Sequence, residues 1–163
     1  MGPFSFASQR CTFGLVLLFG IGVFAHADEI EGTFRLVKRQ LPDGTVQTPP
    51  TVAGMWTMVK GHRQLNVFWH TAEGKPASAG AISTYRIGPH EYTETLIYFV
   101  IDDGSGKPVP YNVSGESKSV VVTRDVGRVM FKLPFDPPSV VFEGNKMTAT
   151  VTGAFTDYWE RVK

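Results

Sequence analysis

The sequence has little with which to staple or anchor itself. Its 163 residues include a single cysteine, Cys11. One thiol closes no intrachain disulfide and builds no cysteine-rich zinc site. Charge of neither sign is in real excess, with 16 Lys and Arg against 15 Asp and Glu. Without a basic block there is no electrostatic case for nucleic acid or for an anionic membrane surface. Long apolar runs are absent after residue 27. No window there carries a 3.6-residue apolar stripe, so no helix longer than a single turn, near Thr45 to Val52, is expected. Gly-x-Ser-x-Gly, His-x-His and His-x3-His spacings do not occur. The one glycine-rich piece, Gly104-Ser105-Gly106-Lys107, lacks the phosphate-loop pattern. No catalytic residue, metal or cofactor is therefore expected.

What is present begins with a leader. Arg10 gives a positive start, and Phe13 to Ala25 is an uncharged run of 13 residues. Ala25-His26-Ala27 is a small-x-small site, followed at once by Asp28 and Glu29. This is the order of a secretory signal, and the run is short of the ~20 residues of a spanning helix. Cleavage after Ala27 is expected to remove Cys11 and to leave residues 28–163, that is 163 − 27 = 136 residues, as one domain. The domain would carry 15 basic residues (16 less Arg10) against 15 acidic ones. The expected location is the periplasm or the medium, with no stable membrane anchor.

Residues 28–163 alternate with period 2 and are rich in β-branched and aromatic residues. Strands are predicted near 30–39, 53–60, 64–71, 81–87, 91–101, 118–125, 128–133, 139–143, 146–152 and 156–162. Pro42-Asp43-Gly44, Gly88-Pro89-His90, Asp125-Val126-Gly127 and Glu143-Gly144-Asn145-Lys146 punctuate them. Such short connections do not allow parallel crossovers, so neighbours should pair antiparallel. Residues 102–115 read as a surface loop. Regular short strands suit a sandwich or a barrel. The barrel is favoured because closure removes exposed edges, and because the first and last strands would then meet.

Three short motifs carry a family resemblance. They are Gly32-Thr33-Phe34-Arg35-Leu36-Val37, Leu41-Pro42-Asp43-Gly44-Thr45-Val46 and the terminal Trp159-Glu160-Arg161. With Thr84-Tyr85-Arg86-Ile87 and Glu91-Tyr92-Thr93-Glu94-Thr95, they resemble the small bacterial lipocalin-like (calycin) domains. The resemblance implies an all-β fold, a single antiparallel up-and-down barrel of eight to ten strands. It also implies that Arg161 crosses the first-strand aromatic. Here that aromatic is Phe34 where the family has Trp, so an indole N–H is lost. By the same resemblance, the protein is expected to be an exported binder of a small apolar or amphipathic molecule. The alternatives are a barrel enzyme using a His, Glu and Tyr acid–base pair such as His70 with Glu94 or Tyr92, and a filled barrel serving as an envelope interaction module.

Candidate binding residues follow from strand parity. In Leu65-Asn66-Val67-Phe68-Trp69-His70, period 2 puts Leu65, Val67 and Trp69 on the face expected to be dry. Trp69 is therefore expected to line the interior. Tyr92, Glu94, Leu96 and Tyr98 share the other predicted lining face, with Tyr92, Glu94 and Tyr98 as its polar points. The alternation alone also allows Thr93, Thr95, Ile97, Phe99 and Ile101 to turn inward instead. Asn112-Val113-Ser114 has the form of a glycosylation sequon and is read as an unmodified loop.

Overall fold

The computed structural model describes residues 29–163, and the predicted leader, residues 1–27, lies outside them. The described chain is all-β, an antiparallel sheet curled on itself. Its thirteen strands are β1 (Gly32–Gln40), β2 (Val46–Gln47), β3 (Val52–Val59), β4 (His62–His70), β5 (Pro76–Ile87), β6 (Glu91–Asp102), β7 (Tyr111–Asn112), β8 (Ser117–Val121), β9 (Thr123–Asp125), β10 (Arg128–Lys132), β11 (Ser139–Glu143), β12 (Lys146–Val151) and β13 (Phe155–Arg161). The count exceeds eight to ten for local reasons. β2 and β7 are two-residue ladders in loops, and Val122 alone separates β8 from β9. The helical turn expected near 45–52 is not formed: Val46–Gln47 is a strand ladder, and after it comes a non-helical turn in which the Thr48 carbonyl accepts from the N–H groups of Thr51 and Val52 before the chain enters β3.

Most neighbours in sequence are neighbours in the sheet, which runs β7-β6-β5-β4-β3-β1-β13-β12-β11-β10-β9. The segment 117–125 pairs with β6 along β8 and with β10 along β9. At the bend, the Val122 N–H donates to the His90 carbonyl at 2.9 Å. The two ends of the described chain meet as the sequence suggests: Phe34 lies opposite Arg161 and Leu36 opposite Trp159.

That meeting explains Gly32. Its φ is +143°, a region open almost only to glycine, and an added Cβ would stand 2.9 Å from Arg161 Nη1. The missing side chain lets the guanidinium lie along the backbone. There it donates to the Glu31 carbonyl, and its carbon stands 5.0 Å from the Phe34 ring centroid. Replacing Arg161 with Ala should lower stability by about 1–2 kcal/mol, through the lost cation–π contact and stem packing. Urea denaturation of the purified domain reads this directly, and a change within error would remove the contact from the account.

The concave face is divided into two zones. At the end holding the starts of β1 and β6, buried aromatics form a continuous series. Tyr85 stacks on Tyr92 at 5.7 Å, Tyr92 on Phe131 at 4.3 Å and Phe131 on Phe142 at 5.9 Å, and Phe142 meets Phe34 edge-on at 5.7 Å. Ile30 is fully buried in the same core cluster, and this end is filled. Toward the other end the packing changes to indole rings and paired charges.

Candidate functional site

Two β-bulges decide what faces the concave side. On β1, Leu36 pairs with Trp159 but Lys38 with Tyr158, so Val37 is an extra residue. Alternation resumes one position late, and Arg39 turns inward where unbroken parity would put it outside. On β6, Leu96 pairs with Ser83 and Tyr98 with Ile82, so Ile97 is the extra residue. Tyr92, Glu94 and Leu96 point inward and are fully buried. Beyond the bulge, Phe99 and Ile101 point inward and Tyr98 lies on the outer wall beside Val100. The placement of Tyr98 with Tyr92 and Glu94 is thus corrected: one inserted residue reverses every later side chain on the strand.

The inner residues form a charged cluster and, beside it, a cavity. Arg63 on β4 is completely buried. Its Nη1 donates to Glu94 Oε1 at 2.7 Å, and its Nη2 to Asp136 Oδ2. Glu94 is fully engaged, since Ser83 Oγ donates to Oε1 at 2.6 Å and the Tyr92 hydroxyl to Oε2 at 3.1 Å. The guanidinium carbon of Arg63 also stands 4.6 Å from the Trp56 ring centroid. Burial disfavours the charge on Arg63, but the two carboxylates outweigh it and hold the guanidinium more firmly protonated than usual. Burial, then the Glu94 charge, pushes the Tyr92 phenol well above its ordinary value, so Tyr92 remains a hydrogen-bond donor.

A second pair lies nearer the rim. Arg39 grips Asp157 on β13 with two hydrogen bonds, Nε to Oδ1 at 2.7 Å and Nη2 to Oδ2 at 2.8 Å. Its guanidinium carbon stands 4.0 Å from the Phe155 ring centroid and 5.1 Å from that of Trp69. Burial raises the Asp157 carboxyl above its ordinary value, while Arg39 pulls it down.

Between the two pairs lies a cavity of about 110 Å³. Trp56, Trp69, Trp159, Phe99 and Phe155 supply most of its wall, with Leu65, Val67, Ala79, Ala149 and Val151 between them. The β10–β11 turn folds over it, and Asp136, Pro137 and Pro138 complete the lining. Trp56 and Trp159 meet edge-on at 5.9 Å. Room for Trp159 comes from Gly54, where a Cβ would stand 2.9 Å from the indole. A larger depression, about 790 Å³, lies on the outer wall among Met55, Asn66, Phe68, Tyr98 and Val100. It is a wide dish open to solvent and would bury little of any ligand, so the inner cavity is the better candidate.

Of the four residues predicted to bind, Trp69 lines this cavity and Tyr92 and Glu94 lie in the buried network next to it, while Tyr98 is elsewhere. His70 does not join them. It shares the outer face with Phe68, whose ring is 5.0 Å away, and its Nδ1 lies 3.3 Å from the Thr51 carbonyl oxygen. A His70–Glu94 acid–base pair is therefore not formed, because the two stand on opposite faces of the sheet.

Four charged residues escaped the sequence reading. Arg63 and Asp157 were within reach of it, since each has the parity of an inward neighbour, Leu65 and Trp159 respectively. Arg39 was hidden by the bulge at Val37. Asp136, set among prolines in a turn, carries no sequence signal that separates it from an ordinary loop aspartate. Among the described residues, no three His, Cys, Asp or Glu side chains are grouped to hold a metal ion, and no helix is long and apolar enough to cross a membrane. Comparison with protein-family models, curated proteins and solved structures found no match.

Proposed function

We propose that this protein is an exported, lipocalin-like β-barrel that binds a small, largely apolar molecule at one end of its interior. The supporting observation is the cavity of about 110 Å³ with three tryptophans in its wall. An apolar cavity of ~150 Å³ is known to admit benzene. The cavity here is smaller than that, so the ligand expected is at most of single-ring or branched-chain size, well below the ~300 Å³ at which ordinary ligand pockets begin. The pairing of β1 with β13, and the sharing of segment 117–125 between β6 and β10, support a closed barrel. Arg161 over Phe34 supports the lipocalin-like assignment. Export rests on the signal pattern of residues 1–27.

A filled interior serving as an interaction module is the second reading, favoured by the stacked aromatics that close the other end. Native mass spectrometry of protein recovered from the periplasm or medium separates the two. The expected result is a chain beginning at Asp28, carrying a small adduct that leaves on collisional heating. Full-length chain in the membrane fraction would contradict export. A mature chain with no adduct, and none after incubation with small fragments, would favour the filled module.

A further inference from the structure

The wall of the cavity is not held equally on all sides. All of its lining residues but three lie on strands, where ladder hydrogen bonds fix the backbone. The three are Asp136, Pro137 and Pro138, in the turn between β10 and β11. Residues 133–138 include prolines at 134, 137 and 138, which have no N–H to donate. Among the described residues, the one backbone hydrogen bond within this turn closes its neck, from the Leu133 N–H to the Pro138 carbonyl at 3.0 Å. Leu133 is buried in the core, whereas Pro137 is exposed on one side and lines the cavity on the other. At that point the turn is a single layer between the cavity and solvent. The sheet is also open beside it. Segment 117–125 leaves β6 for β10 at Val122, so β8 has a ladder with β6 and none on its other side. Two side-chain ties hold the tip of the turn. Asp136 pairs with Arg63 on the inside, and on the outside Lys118 Nζ of β8 stands 4.7 Å from the Phe135 ring centroid.

We infer that the turn 133–138 is the gate of the cavity, and that a ligand enters and leaves as its tip swings outward from the neck at Leu133 and Pro138. This rests on the binding function proposed above and adds the route. Moving a strand of the wall would break a row of ladder bonds, whereas the tip of the turn moves without breaking any backbone bond. What opening does break is side-chain contact. Asp136 leaves Arg63 and passes into water, where a carboxylate is well solvated. Arg63 is not stranded, because Glu94 still matches its charge, and Glu94 is held in turn by Ser83 and Tyr92. The buried cluster thus consists of a pair that stays in the wall and one carboxylate, carried by the turn, that latches onto it. Lys118 over Phe135 is the second latch, and it spans the side of β8 that has no ladder.

All three tryptophans of the sequence, Trp56, Trp69 and Trp159, line the cavity, so their indole N–H signals in NMR report its occupancy. The test titrates the full mature protein with benzene and, separately, with isobutane, and takes on-rates and off-rates from the line shapes. In the variant Lys118→Cys/Phe135→Cys a short bis-maleimide ties the turn to β8, and residues 28–163 hold no other thiol. Neither substituted residue lines the cavity. The expected result is that cross-linking lowers both rates at least tenfold and leaves the affinity within twofold of the free-thiol form. Phe135→Ala, which removes the outer latch alone, should raise both rates about twofold to fivefold, the factor that corresponds to an exposed cation–π contact. A probe that binds with rates untouched by the cross-link would overturn the gate and leave the binding function standing. Binding of neither probe to wild type would overturn the gate and the pocket together. If the cysteine variant does not fold, Phe135→Ala decides, and rates equal to wild type overturn the gate.

Discussion

Replacing Arg63 with Met should lower the unfolding free energy by about 3–5 kcal/mol, the usual result of stranding a buried charge. In this protein two carboxylates are stranded, because Glu94 and Asp136 share the one guanidinium. The loss should not be read as the net worth of the cluster. Taking two carboxylates and a guanidinium out of water is itself expensive, and the attraction among them roughly repays it. The companion variant Arg63→Met/Glu94→Leu/Asp136→Leu should therefore recover most of the loss. Chemical denaturation of both proteins checks the pair of statements. A single variant as stable as wild type would mean that the guanidinium does not hold the carboxylates together. A triple variant as damaged as the single one would mean that side-chain volume, rather than charge, accounts for the loss.

Trp159→Ala should cost a similar amount, about 3–5 kcal/mol, for a different reason. The indole is buried, meets Trp56 edge-on and fills the space that Gly54 leaves open. Its removal takes away transfer energy and also joins a new void to the existing cavity, so the cost depends on how far the sheet collapses around it. Gly54→Ala probes the same contact from the opposite side, where the added methyl would press on the Trp159 ring and on the Asn66 carbonyl. Overpacking of this kind costs about 1–3 kcal/mol. The two substitutions should be strongly non-additive, because removing the indole removes most of the clash. Additive losses in a double-mutant cycle would contradict the packing described.

Much of the fold was legible because alternation in strands is hard to disguise. Leu65, Val67 and Trp69 turn inward as their parity requires, and the two chain ends pair in a register that brings Arg161 to Phe34. The site was less legible, and the reason lies in two residues. Val37 and Ile97 are the insertions that reverse parity along β1 and β6, and neither differs in composition from an ordinary strand residue. They bring in Arg39, Phe99 and Ile101 and send Tyr98 outside. A bulge is set by the partner strand as much as by its own sequence, so a single-strand pattern does not reveal it. Asp136 was hidden by a tertiary cause, since its turn reaches a partner on β4 that is 73 positions away in sequence.

The central claim is that the space between the two charge pairs is a binding site and not a packing defect. The most direct measurement is saturation-transfer NMR of single-ring and branched-chain fragments on wild type and on Ala79→Leu, which extends a side chain from the cavity wall into it. The account predicts fragments that bind wild type and lose their signal in Ala79→Leu, while that variant stays folded with stability equal to or above wild type. Fragments that bind both proteins alike, with the variant folded, would contradict it.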